Sequence, residues 1–327
     1  MVKKPKLKYR YYDNSTTSDY ERCPRLGYLR HDRDWTGQAI SLPLLFGLSW
    51  HESMNIVWAG ADEKCSDDEL TSVAFEAFKI SWKDGGLNPD ADPEIVEAWG
   101  MRNPGTALEM IWEYIKQRRY WIQNVEVLEI EKPFAVPLVA DDPTLFYIGR
   151  IDKKIIFERK KWGVEHKTTS YYKKDGGFRD EFLDSFTPNS QIDGYLHALH
   201  MEHGPDEIAG ILVDAALVHK TVHDKFMFVE VKRPPELLDA WLYEVLTKIE
   251  NIERWRNALA NDPQPNSHMA AFPKRTLACG DFGGCQFKNI CKSTDSPHTW
   301  EEPPFGYTEQ KWEPFNILHM ERLGIEQ

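Results

Sequence analysis

Three of the chain's five cysteines fall within thirteen residues, as Cys279-x5-Cys285-x5-Cys291, in a glycine-rich stretch. Glycines let a backbone fold tightly around a centre, and a four-thiolate site holds either an iron–sulfur cluster or zinc. A fourth ligand is needed, and Cys23, in the pair Cys23-Pro24, is the candidate. The fold must then carry residue 23 to residues 279–291, closing the chain on itself across most of its length. Buried, unligated thiols are the ordinary alternative for cysteines. Cys65, beside Ser66-Asp67-Asp68, fits that description. Five is too few and too odd a number for a secreted disulfide framework, so a reducing compartment is expected.

A chain of 327 residues allows one elaborated domain or two small ones. Its 40 Lys and Arg against 52 Asp and Glu give a net charge of −12, which repels polyanions, so any nucleic-acid contact must be local. With 41% apolar residues and 12 Trp the chain is too hydrophobic to be disordered. The basic N-terminus MVKKPKLKYRYY is followed by no apolar segment, so a secretory signal is not expected. The longest apolar run, residues 209–218, is interrupted by Asp214 and falls short of the roughly 20 residues of a membrane span. A cytoplasmic protein without membrane contact is the expectation.

Periodicity divides the chain. Ser18-x-x-Glu21 has the form of a capping box and predicts a helix starting there. Helical spacing continues over 44–58, 68–82, from Glu94, and over about 106–121. From Val125 the period shortens, predicting strands through 134–136 and 145–157, then 162–167 after a polar turn. A helix is expected over 189–203, strands over 208–219 and 225–231, and a long helix from Pro234-Pro235 to about Ala260.

The sharpest local signal is Gly149-Arg150-Ile151-Asp152 followed by Val164-Glu165-His166-Lys167-Thr168-Thr169. On a strand Glu165 and Lys167 project to one side and His166 to the other. If Asp152 lies in register on the neighbouring strand, two carboxylates and an ammonium meet at a site for a hard cation. Such a site suits phosphodiester hydrolysis with Mg2+ or Mn2+. Taken alone, the spacing favours a solvated strand face with a cross-strand ion pair. Four features add weight: His51 within Phe46-Gly47-Leu48-Ser49-Trp50-His51, Gln191 and Tyr195 at helical i,i+4 spacing, the acid series Glu126, Glu129 and Glu131, and the cysteines. Of those acids Glu129 and Glu131 share a face, although most such acids are merely solvated. Basic patches run over 3–10, 22–33, 153–161 and 167–174. The 153–161 turn reads as solvated, and Tyr171-Tyr172-Lys173-Lys174 reads as the DNA contact.

The order Cys23-Pro24, Phe46-Gly47 with His51, Gly149-x-Ile151-Asp152, Glu165-x-Lys167-Thr168, Gln191-x3-Tyr195 and a C-terminal cysteine triplet resembles the PD-(D/E)XK nuclease superfamily. Within it the pattern is similar to the RecB-like branch that carries an iron–sulfur cluster, as in CRISPR-associated exonucleases. The resemblance spans Ser18 to Cys291. It implies an α/β, restriction-endonuclease-like mixed sheet flanked by helices, with a helical N-terminal insertion and a cysteine-ligated cluster joining the N- and C-terminal segments. It implies that Asp152 and Glu165 hold the divalent metal with His51 and the His166 carbonyl, that Lys167 is the active-site lysine, and that Gln191 and Tyr195 position DNA or that lysine. Cys23, Cys279, Cys285 and Cys291 would ligate a structural 4Fe-4S cluster. The relatives often place two residues rather than five between the first two triplet cysteines, which leaves zinc open.

The expected organisation is one nuclease domain over 1–295, divided into a largely helical part (18–125), a catalytic core (125–260) and a cysteine segment (261–295), with an extension over 296–327. The expected function is a metal-dependent deoxyribonuclease, an exonuclease on single-stranded or end-bearing DNA. No Gly-x4-Gly-Lys-Ser/Thr loop is present, so any unwinding in repair or recombination would come from a helicase or recombination partner. A viral or mobile-element origin fits the compact length. The competing class is an inactive DNA-binding module on the same fold. Oligomeric state is not encoded in any motif.

Overall fold

The computed structural model describes residues 10–61, 65–174, 176–262 and 268–311. Its elements are β1 (Arg10–Tyr12), α1 (Asn14–Arg22), α2 (Pro24–Gly27), β2 (Trp35–Gly37), α3 (Leu42–Gly60), α4 (Asp67–Asp84), α5 (Pro93–Trp99), α6 (Pro104–Gln123), β3 (Glu126–Ile130), β4 (Pro133–Val139) and β5 (Asp142–Arg150). They continue as β6 (Lys153–Phe157), β7 (Lys160–Thr169), α7 (Asp180–Asp184), α8 (Ser190–His203), β8 (Ile208–Leu217), β9 (Phe226–Val231), α9 (Pro235–Ala260), α10 (Lys288–Ser293) and β10 (Tyr307–Glu309). The chain is a mixed α/β protein of two compact units, each assembled from separated segments.

One unit comprises Ile40–Pro133 and Arg150–Pro234. Its five-stranded sheet has the order β3-β6-β7-β8-β9. The β7–β8 pair is parallel and the others antiparallel, because α8 carries the chain back between β7 and β8. The β6–β7 hairpin turns on Glu158 and Arg159, both left-handed at φ 50° and 64°, the two-residue turn whose twist matches paired strands. Alternation along β7 sorts its side chains. Trp162 and Val164 join a core with Leu212, Ala216 and the buried aromatics Phe46, Trp50, Phe78, Trp82 and Tyr114 of α3, α4 and α6. Each such side chain contributes about 1.5–3 kcal/mol by leaving water. Gly163 faces the other way, and a Cβ there would come within 2.4 Å of Ile211 and 3.3 Å of Leu199 of α8. Absence of a side chain at 163 therefore lets α8 lie close on the sheet.

The other unit comprises Met1–Ala39, Phe134–Gly149 and Pro235–Gln327 so far as these are described. It holds a three-stranded sheet in the order β1-β5-β4, the β2–β10 pair, and the 26-residue α9. A polar cluster ties its N-terminal residues to α9: Arg256 is 2.7 Å from Asp32, which accepts from the Tyr20 hydroxyl at 2.6 Å.

Two local expectations change. Helix α1 begins four residues before Ser18, because Asp13 caps it by accepting from the Thr16 N–H at 2.6 Å. Cys23 then lies beyond α1 in an extended conformation (φ −159°, ψ 115°), as expected of a residue before proline. The stretch 145–157 is two strands, β5 and β6, placed in different sheets with Ile151 and Asp152 in the break. Among the described residues no helix is long and apolar enough to cross a membrane. Residues 3–9 of the first basic patch and 312–327 of the extension lie outside the described residues.

Candidate active site

The hairpin sets the site. Its register pairs Lys153 with Val164, so one step further Asp152 falls opposite Glu165. Asp152 accepts the backbone N–H of His166 at 2.7 Å, and its other neighbour is His51 Nδ1 of α3 at 3.2 Å from the same oxygen. On β7, Lys167 Nζ lies 2.5 Å from Glu165 Oε1. Gln191 of α8 joins the pair, accepting from Lys167 at 3.0 Å while its amide donates to Glu165 at 3.1 Å and to the Tyr195 hydroxyl at 2.8 Å. Asp152, Glu165, Lys167, Gln191, Tyr195 and His51 thus gather at one end of the sheet. The side chain of His166 does not: it is buried on the opposite face, against Trp58 and 3.4 Å from Asp214.

Glu131, one of the acid series noted in the sequence, joins them. It lies just past β3 at φ 55°, where its N–H bonds the Asp152 carbonyl at 2.8 Å and its carboxylate pairs with Arg150 at 2.8 Å. One ligand atom each from His51, Glu131 and Asp152 lie within 4.8 Å of one another. Glu129 parts from it, turning to Lys132 at 2.6 Å and Lys154 at 3.0 Å. The backbone turn after Ile130 separates two acids that a regular strand would have kept on one face. Lys153 is also a correction: it is fully buried and donates to Asn55 at 2.8 Å, since its place on β6 points it into the helical core.

Burial raises the carboxyl of Glu165, and the Asp152 charge adds to this, so that it is pushed up to about 7 despite Lys167 and His51. Burial would raise Asp152 as well, but His51, Lys153 and His166 hold it far below the usual carboxylate range. Burial would lower His51, yet Asp152, with Glu165 and Glu131, raises it. His166 is lowered to about 4 by burial and by Lys153. The site is a buried concentration of acid, and Glu165 Oε2 is left there with no hydrogen-bond partner. Hard oxygen donors with one imidazole and an unsatisfied carboxylate oxygen fit Mg2+ or Mn2+.

Beyond β7, Tyr171 is 65% exposed, and Tyr172 stands edge-on to His219 at 4.4 Å. Lys173 is paired with Asp180 at 2.7 Å, and Lys174 is exposed. The 22–33 patch is not an open basic face, because Arg25 is buried and Arg30 pairs with Asp19 at 3.1 Å.

In the other unit Cys23, Cys279, Cys285 and Cys291 line one cavity. No three of their sulfurs lie within 4.8 Å of one another. Cys23 Sγ accepts the Arg275 N–H at 3.3 Å, and burial pushes the Cys291 thiol up to about 11. Cys65 stands apart, beside the start of α4.

No protein-family model matches the sequence, and the search of curated proteins finds no match. Among solved structures the chain is similar to a candidate exonuclease from Eubacterium rectale, with a TM-score of 0.45 and 15% identity over 83% of this chain and 93% of that one. A TM-score below 0.5 does not establish a shared fold.

Proposed function

We propose that the protein is a metal-dependent nuclease that hydrolyses phosphodiester bonds of DNA, as an exonuclease on single-stranded or end-bearing substrates. The observation that carries this is the convergence of His51, Glu131 and Asp152 within 4.8 Å of one another, beside the strand pair on which Glu165 holds a lysine. His51, Glu131, Asp152 and Glu165 are the residues that would hold Mg2+ or Mn2+. A bound divalent ion supplies an activated water and neutralises charge on the phosphate oxygens. The remaining work belongs to the side chains. Glu165 and Gln191 hold the Lys167 ammonium from two sides, and Glu165 keeps it protonated against the effect of burial. A cation so fixed donates to a phosphate oxygen or orients the attacking water without reorganising during the reaction. Tyr195 fixes Gln191 in turn. The exposed Tyr171 next to β7 offers a stacking surface for an unpaired base.

We read the four cysteines as a second centre that ties the N-terminal residues to the C-terminal segment. Four thiolates lining one cavity suit a 4Fe-4S cluster, with a single zinc as the alternative.

The test is incubation of the purified protein with end-labelled single- and double-stranded DNA and Mn2+ or Mg2+. Loss of label that EDTA abolishes supports the proposal. Binding of DNA with no cleavage under any metal would leave a binding module instead.

A further inference from the structure

Gln191 touches both Lys167 and Glu165, so the first turn of α8 decides how the Lys167 ammonium is held. The N–H groups of a helix's first turn have no partners within the helix. Asn189 accepts from those of Gln191 and Ile192, at 3.1 and 3.2 Å, and its amide donates to the Ser185 carbonyl at 3.0 Å. That ties the turn to the segment entering it, but not to the sheet. Arg233, two residues past β9, makes the second connection. Its Nε is 2.6 Å from Asp193 Oδ1 of α8, its Nη2 donates to the Phe186 carbonyl at 3.0 Å, and its Nη1 donates to Thr187 Oγ1 at 3.4 Å. One guanidinium therefore grips both α8 and the segment leading into it, from the end of the strand that pairs with β8. The Arg233 and Asp193 side chains are only 4% and 9% exposed. An ion pair so far from water is often matched in stability by packed apolar side chains of similar volume, but it demands a far more exact geometry.

We propose that Arg233 is a positioning residue for the Lys167–Glu165 pair: through Asp193 and residues 186–187 it sets the first turn of α8, and with it the Gln191 amide, against the sheet. This deepens the nuclease reading and rests on it. Arg233 acts through Gln191 and is not itself a catalytic residue. If the turn drifts, Gln191 loses its hold on Lys167, and a misplacement of about 1 Å is enough to lower a rate steeply.

Arg233→Met together with Asp193→Leu removes both charges and leaves neither buried alone. This paired variant, Gln191→Ala, and all three changes combined are compared with the unaltered full chain on end-labelled single-stranded DNA with Mn2+, and thermal melts are recorded. The pair is expected to melt within a few degrees of the unaltered chain and to lower kcat about tenfold with KM unchanged. Added to Gln191→Ala it is expected to lower kcat no further, because the side chain it positions is already gone. Full kcat in the pair, or losses that multiply in the triple variant, overturns the proposal. If the pair fails to fold, Arg233→Lys carries the same test: it keeps the charge without the three-way grip, and its partial loss of kcat should vanish in the Gln191→Ala background. An equal loss in both backgrounds overturns the proposal. Absence of cleavage by the unaltered chain under any metal sinks the nuclease reading instead. Acylation of Lys167, followed by peptide mass mapping, then decides the positioning on its own: the amine should react faster, by the same factor, in the pair and in Gln191→Ala, and an unchanged rate in the pair overturns it.

Discussion

Lys167 is held between Glu165 and Gln191, so removing its ammonium leaves both partners polar and the sheet unchanged. Lys167→Ala is expected to lower DNA cleavage by about 100-fold or more with the melting temperature and Mn2+ binding nearly unaltered; full activity in the purified variant would remove the lysine from the chemistry. Glu165 gives a pH dependence. In the metal-free protein its pKa of about 7 stands above the roughly 4.3 of an unfolded chain, so the folded state binds the extra proton. The resulting stability is complete below the unfolded value and is lost as pH rises through about 7. A cation competes with that proton, so Mn2+ affinity is expected to climb with pH up to about 7 and then level off. Glu165→Gln should flatten the metal-free stability difference across this range, as urea midpoints at a series of pH values would show. Asp152, Glu165, Lys167, Gln191, Tyr195 and His51 were all visible as spacing, because strand and helix alternation is local. Glu131 was legible only as one of an acid series that strand alternation would have faced with Glu129; its turn into the site depends on a left-handed residue after β3 that no periodicity announces.

At the scale of elements, the β6–β7 hairpin decides whether Asp152 meets Glu165. Its two turn residues, Glu158 and Arg159, both occupy the left-handed region without being glycine. The replacement Glu158→Asn with Arg159→Gly supplies the residues that prefer this turn and is expected to raise stability by about 1–2 kcal/mol. Cleavage should be unchanged, because the turn lies at the far end of both strands; a loss of stability would mean that the turn is held by something other than its own backbone. Strands and helices of the five-stranded unit were legible within a few residues, because their apolar faces repeat regularly. The start of α1 was misplaced because two acceptable caps, Asp13 and Ser18, stand close together, and the earlier one prevails. The division of 145–157 between two sheets was hidden, since each half alternates normally and only tertiary pairing parts them.

At the scale of the molecule, the cysteine cavity joins residue 23 to residues 279–291. Cys23→Ser is expected to abolish the visible absorbance of the reconstituted centre and to lower solubility, whereas Cys65→Ser should leave both intact; a centre that survives the first change would exclude Cys23 as a ligand. The net charge of −12 sets another expectation. Affinity for DNA should be modest and should fall with added salt, with a slope that reports only a few phosphate contacts. A steep slope, measured by titration of labelled single strands, would require a basic surface beyond the described residues. The four cysteines that line this cavity were readable in the sequence as a group.

The alternation along β7 links two tasks in one ten-residue strand: odd positions such as Glu165 and Lys167 face the proposed site, and even positions such as Trp162 and Val164 fill the interior. A slip by a single position against β6 would drive an ammonium among indole rings and turn those rings toward water. A misregistered chain would therefore lose cohesion and the proposed site together.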